Sequence, residues 1–177
     1  MLKLSRRRLL EWAREYDQRQ PPRDRALERR IKAWLRGQPS VKHLDKGHFV
    51  DLACWTAPRG RAAYEANSSS LIRDATRLAS LALNDRLKLH VLSALEGVNV
   101  TVAATVLHFM HPRSYPIFDF RVRRTLKKAG EWAGWRLTDA GPDAWEAYVR
   151  AMRRLARRYR LSLRDLDKAL YAYDRWF

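Results

Sequence analysis

Residues 95–124, LEGVNVTVAATVLHFMHPRSYPIFDFRVRR, carry the reading of this chain. Residues 96–99 read as a tight turn holding Gly97, and 100–110 as a short apolar helix. Pro112 and Pro116 then impose a loop, since proline lacks the N–H that a helix ladder needs. Asp119 follows at the mouth of a second helix that carries Arg121, Arg123 and Arg124. A turn that exposes backbone N–H groups, followed by a carboxylate beside clustered arginines, suits a phosphate-bearing substrate.

Outward from this stretch, apolar residues recur at helical spacing, and alternating runs bounded by turns are absent, so the fold class is expected to be all-α. Before it, Leu9, Trp12, Ala13 and Tyr16 share one face of a first helix, and Leu27, Ile31, Trp34 and Leu35 share one face of a second that stops at Gly37. These two are expected to pair as a hairpin. Their arginine-rich outer faces are either a nucleic-acid surface or the ordinary solvated side of an amphipathic helix. A third helix carries Phe49, Leu52, Ala53 and Trp55 up to Pro58. Asn67 and the serines after it cap a helix with Leu71, Ala75, Leu78 and Ala79 on its apolar side, and the pair Asn84, Asp85 caps the one that leads into the turn. After the stretch, Trp132 and Trp135 flank Gly134 in a loop, and Pro142 opens a long helix. Arg150, Arg153, Arg154, Arg157 and Arg158 follow i, i+3, i+4, i+7, i+8 spacing there, so five like charges share a face and repel unless an anion relieves them. A last helix starts at a capping box over 162–165 and ends in an aromatic tail.

The chain has 177 residues, with 36 Lys+Arg against 19 Asp+Glu, a formal charge of +17. Solubility alone needs only about 2 to 8 charges on a small domain, so the excess points to a polyanion, with nucleic acid the leading partner. The longest apolar run, 98–110, falls short of the ~20 residues of a membrane span. The basic N-terminus lacks the apolar core of a secretory signal. The lone Cys54 can form no internal disulfide and excludes a cysteine-held cluster, which leaves a reducing cytoplasm as the expected compartment.

Within the central helix Thr101, Thr105 and His108 form one polar stripe at i, i+4 and i+7. They face a ligand, or the threonines bond back to their own helix carbonyls and His108 caps its end. Asp119 is either a plain N-cap or a functional acid, and Arg121 and Arg124 are expected to hold it ionised. No second carboxylate lies close in sequence, which removes paired-acid glycoside hydrolysis.

The run Leu95, Gly97, Val98, Ala103, followed by Pro116 and Asp119, resembles the helix-hairpin-helix (HhH-GPD) signature of the DNA base-excision glycosylase superfamily, as a divergent member. Leu95 to Ala103 stand on the hairpin motif and Ile117 to Arg124 on the aspartate motif, and the interval from Thr101 to Asp119 fits the family's spacing between its lysine position and its catalytic aspartate. The likeness spans about thirty residues.

The resemblance implies one unit, 1–177, of two small helical lobes, with the hairpin over about 85–110 and the Pro/Asp loop and catalytic-type helix over about 112–128. It implies a monomer that grips DNA through Gly97, Val98, Asn99 and Thr101, sometimes with Na or K on the carbonyls of Leu95 and Gly97. Phosphate contacts would come from Arg121, Arg123, Arg124 and the five-arginine row. A damaged base would flip into a cleft, with Trp55, Thr105, His108, Tyr115 and Trp132 as pocket candidates and Asp119 assisting hydrolysis of the N-glycosidic bond. Nucleoid association in the cytoplasm follows from such a role. Thr101 stands at the Schiff-base lysine position, so the expected enzyme is monofunctional unless Lys127 or Lys128 reaches the site. Asn99 replaces the second hairpin glycine as a residue tolerant of left-handed backbone, and Glu96 replaces the usual proline. No cysteine quartet exists for an iron–sulfur cluster. The rival expectations are a non-catalytic, structure-selective DNA binder of the same fold and, from charge alone, an RNA-binding helical protein.

Overall fold

A computed structural model describes residues 2–177, and the described residues are all-helical, with ten α-helices and one short 3-10 turn. The chain divides into two compact units: Pro21–His111, and Pro112–Phe177 joined by the N-terminal helix. The division falls inside the stretch 95–124, so the hairpin belongs to one unit and Asp119 to the other.

The unit Pro21–His111 holds α2 (Pro22–Arg36), α3 (Lys46–Thr56), α4 (Arg61–Ala66), α5 (Ser69–Leu81), α6 (Asp85–Ser93) and α7 (Val100–Met110). Helix α7 is its axis. Residues 102–110 are all buried, and α2, α3, α5 and α6 pack against them with Ile31, Leu35, Phe49, Leu52, Ile72, Leu89 and Leu92. A helix this apolar must be buried on nearly all sides, Thr105 and His108 included, and that property sets the layout of the unit. Side-chain caps start the helices: Asp45 accepts from His48 N (2.8 Å), Ser68 from Leu71 N (3.2 Å) and Asn84 from Leu87 N (3.0 Å). Lys88, 7% exposed, closes the far end of α5 by donating to the carbonyls of Ala79 (2.9 Å) and Ala82. A cation there satisfies orphan carbonyls at the negative end of the helix dipole.

The face of α5 differs from the sequence expectation. Ile72, Ala75, Thr76 and Ala79 are buried, while Leu71 (44%) and Leu78 (55%) are exposed. Thr76 decides the rotation, since its hydroxyl accepts from Leu44 N (3.0 Å) and donates to Ile72 O (2.8 Å) inside the unit. Burying Leu71 instead would leave that amide unmatched.

The other unit consists of α1 (Arg6–Arg19), α8 (Phe120–Lys128), α9 (Pro142–Tyr159) and α10 (Leu163–Trp176). The expected hairpin of the first two helices does not form a folding unit: α1 packs on α10, whereas α2 belongs with α3 and α7. The reason is aromatic. Trp12 meets Tyr173 at 4.8 Å, Tyr16 meets Tyr171 edge-on at 5.5 Å, and Trp176 lies 6.4 Å from Tyr16, so the aromatic end of α10 supplies the larger apolar surface. Arg164 and Asp167 are a buried pair at 2.6 Å beneath Tyr16, and Lys168 reaches Asp17 at 2.6 Å. Helix α8 lies on α10, where Thr125 donates to Leu170 O at 2.8 Å. Helix α9 buries Trp145, Tyr148, Val149, Met152, Leu155 and Ala156 along one side, while Tyr159 at its end is half-buried. No described helix is long and apolar enough to cross a membrane.

Candidate functional site

The hairpin over 94–99 joins α6 to α7. Gly97 takes φ +78°, and a Cβ added there would sit 2.9 Å from Ala63 Cβ and from Tyr64 Cε1. Both the backbone and the space therefore require glycine. Asn99 is not left-handed: its φ is −94°, and its side chain accepts from Val102 N at 3.0 Å as the N-cap of α7. The expectation that Asn99 substitutes for a left-handed glycine is thereby corrected. Glu96 N–H is taken by Asn67 Oδ1 (2.8 Å) and Val98 N–H by Leu95 O (3.1 Å), while the amides of Gly97, Val100 and Thr101 have no protein acceptor among the described residues. Two of these amides stand at the positive end of α7 and the third in the turn before it, the kind of group that can accept an anion.

Asn67 is the residue that sequence reasoning missed here. It is 2% exposed, and besides accepting from Glu96 N it donates to Glu96 O (3.2 Å), Ala63 O (3.0 Å) and Tyr64 O (3.2 Å). One amide side chain therefore closes α4 and clamps the hairpin. Asn67→Ala is expected to cost about 1–3 kcal/mol, because it strands a buried N–H and several carbonyls, and urea denaturation would measure it. The only sequence signal was an asparagine beside a run of serines, which reads equally well as an N-cap.

Asp119 caps α8, with Oδ1 accepting from Arg121 N (2.7 Å) and Val122 N (3.2 Å). Oδ2 takes no hydrogen bond from the described residues. The residue is half-buried. Burial pushes its carboxyl above the ordinary value; the two amides and the charges of Arg121 and Arg123 oppose this without overcoming it. Arg121 and Arg124 thus do not bring the Asp119 carboxyl below its ordinary value: burial outweighs Arg121, and Arg124 is engaged elsewhere. Arg124 binds Asp174 with two nitrogens, Arg121 reaches the same carboxylate at 3.4 Å, and Lys128 stands 3.9 Å from it. Arg123, 5% exposed, donates to Leu137 O (3.0 Å) and Asp139 O (2.6 Å) and lies over the Phe118 ring at 4.3 Å. It pins the loop after α8 and is not a surface phosphate contact.

For Asp174, burial raises the carboxyl, but the Arg124 bond, the charges of Arg124 and Lys128 and the Arg121 bond bring it below the ordinary value. A depressed carboxyl adds stability above its unfolded value and loses it as pH falls through the folded one. Asp174→Asn is therefore expected to lower Tm at neutral pH and to flatten the acid limb of a pH–stability curve.

The arginine row on α9 is relieved from within the chain. Glu131 accepts from Arg154 (2.8 Å) and Arg158 (3.4 Å), Arg153 donates to Ser114 O (2.8 Å) over the Tyr115 ring, and Arg150 lies 3.9 Å from Glu146. Arg157 is exposed with no carboxylate partner among the described residues.

The pocket candidates are scattered. Thr105 is fully buried and donates to Thr101 O at 3.0 Å, and His108 is fully buried with its ring edge-on to Phe109 at 5.5 Å. Trp55 is half-buried at the end of α3, edge-on to Phe109. In the other unit Tyr115, 4% exposed, is stacked on Trp145 at 5.8 Å, and Trp132, 3% exposed, packs edge-on to Tyr148 at 5.9 Å. Tyr148 is fully buried and donates to Ile117 O at 2.7 Å, holding the segment that leads into Asp119. No group of three or more His, Cys, Asp or Glu side chains that could hold a metal ion occurs among the described residues. No protein-family model, curated protein or solved structure matches the chain.

Proposed function

We propose that this chain is a monofunctional DNA glycosylase of the helix-hairpin-helix type, which hydrolyses the N-glycosidic bond of a damaged or modified base. The observation that carries the reading is Asp119: one carboxylate oxygen is fixed by two helix amides and the other meets no protein donor, in a half-buried setting that raises its proton affinity. As the C1′–N bond breaks, electrons leave with the base and positive charge develops on the sugar, which a fixed carboxylate stabilises. Water then adds its oxygen to C1′ and gives a proton to Asp119 Oδ2, for which a raised carboxyl is the better base. The free amides of Gly97, Val100 and Thr101 would hold a backbone phosphate, and the carbonyl of Gly97, with that of Leu95, which also accepts from Val98 N, would be the oxygens offered to a monovalent cation, whose charge would add to that grip. With Thr101 in place of a lysine, no imine forms from that position.

The test is base release from duplexes carrying deaminated, oxidised or alkylated bases, with native protein and Asp119→Asn side by side. A second reading, a DNA binder without chemistry, is favoured by the burial of Thr105, His108, Tyr115 and Trp132, which leaves only Trp55 half-exposed of the five pocket candidates. Tight binding of abasic duplex with no base released from any lesion selects that reading. A preference for hairpin RNA over every DNA duplex rejects both.

A further inference from the structure

The loop between α8 and α9 contains a recess of about 410 Å³, lined by Lys127, Gly130, Trp132, Gly134, Trp135 and Arg136 among others. That volume lies in the small-ligand range of roughly 300–1,000 Å³. Its two indoles have different duties. Trp132 is buried against Tyr148 and belongs to the core; Trp135 leans on Trp132 at 6.0 Å, with planes 34° apart, and remains half-exposed. Gly130 (φ +75°) and Gly134 (φ +79°) both take left-handed backbone, and a Cβ at Gly134 would meet nothing within 4 Å, so this part of the wall is open ground. Lys127 Nζ donates to Trp135 O at 3.3 Å, which fixes the tryptophan's backbone beside a cation. Lys127 and Arg136 are both exposed, and neither side chain forms an ion pair among the described residues, although the Arg136 backbone N–H donates to Asp139 Oδ2 at 2.8 Å.

We propose that this recess binds one nucleoside monophosphate unit, with the base stacked on Trp135 and the phosphate held by Lys127 and Arg136. A bare phosphate would leave the indole without a purpose, and an apolar ligand would leave the two cations without one. A base carrying a phosphate uses both, through stacking and charge-assisted hydrogen bonds. The unit comes either from a free nucleotide or from an unpaired residue of a strand. The site makes no use of Asp119; only its strand form rests on the proposed DNA-binding function.

The full chain, Trp135→Ala, Trp135→Phe and the double variant Lys127→Ala/Arg136→Ala are titrated with AMP and with a labelled duplex containing one bulged nucleotide, against its fully paired counterpart. Stacking of one base on an aromatic is worth about 5- to 150-fold. Trp135→Ala is therefore expected to weaken AMP or bulged duplex at least about fivefold and to leave the paired duplex unchanged, while Trp135→Phe retains binding. The double variant is expected to weaken the same ligand and reduce its salt dependence. Binding of AMP itself identifies the free nucleotide, and binding of the bulge alone identifies the strand. Equal affinities of native and Trp135→Ala for both ligands, with both proteins folded by thermal melt, overturn the site, as does failure of the native chain to bind either. If native protein releases bases but Trp135 is indifferent, this proposal alone falls; if no base is released but the bulge preference needs Trp135, only the glycosylase reading falls.

Discussion

Asp119→Asn is expected to abolish base release, by about 100- to 10,000-fold in single-turnover rate, the usual worth of a positioned acid–base group, and yet to leave the chain at least as stable as the native one at neutral pH. The two outcomes have the same origin. Asn keeps the side-chain oxygen that accepts from Arg121 N and Val122 N, so the cap on α8 survives. What it removes is an ionisable carboxyl that burial holds above its ordinary value. A carboxyl raised in the folded state binds its proton more tightly there than in the unfolded chain. It therefore costs stability as pH rises above the unfolded value, and the full cost applies above the folded one. The variant escapes that cost at about pH 7 and gains nothing at about pH 3, below the ordinary aspartate value. Melts at both pH values check the sign. Asp119→Ala loses the cap as well and is expected to fall by about 1 kcal/mol. If Asn at 119 lowers Tm at neutral pH as much as Ala does, Asp119 is a cap whose charge stabilises, and the catalytic assignment loses its energetic basis.

Helices and their starts were legible because they depend on neighbours a few residues apart. Asn84, Asp119 and Ser162 cap where a local reading places them, and the predominantly apolar character of α7 was plain from 100–110. The fate of the charges was not legible, because their partners are distant in the chain. Arg121 and Arg124 looked like neighbours of Asp119, but Asp174, fifty residues on, takes both and has its own side chain fully buried. Glu131 does the same for Arg154 and Arg158. A five-arginine row implies an anion by electrostatics alone, and no local rule says whether it is a phosphate or a glutamate. These pairings change where the excess positive charge stands, not its size, since the formal +17 already subtracts the 19 acids.

The aromatics show the same limit. Trp132 and Trp135 stand three apart beside one glycine, and nothing in the sequence tells which is core. Contact with Tyr148 buries Trp132 and leaves Trp135 at the recess. Tyr115, named as a pocket candidate, is instead stacked on Trp145 at 5.8 Å.

Gly97→Ala is the second large effect, and comparison with Asn99→Gly makes it informative. At Gly97 the backbone is left-handed, which costs an alanine about 1–2 kcal/mol, and its Cβ would meet Ala63 and Tyr64 at 2.9 Å, an overpacking worth about 1–3 kcal/mol more. The variant is expected to lose about 2–5 kcal/mol in urea denaturation. Any shift that relieves the clash must move the turn away from Tyr64 while Asn67 holds Glu96 by both its N–H and its carbonyl, so strain passes directly to the amides of Gly97, Val100 and Thr101. Duplex affinity, measured under conditions where the variant is still folded, is expected to fall with stability. Asn99→Gly removes no left-handed requirement, because Asn99 is extended, and glycine is nearly as good an N-cap, so its cost is expected to be only a few tenths of a kcal/mol. A motif reading, in which the second glycine of the hairpin is the missing feature, expects Asn99→Gly to strengthen DNA binding. The geometry instead expects little change, since the cap on α7 is already formed and the amides of Val100 and Thr101 already lack a protein acceptor among the described residues. A gain of tenfold or more on Asn99→Gly would show that the hairpin works through backbone freedom at position 99 and not through the fixed turn at Gly97.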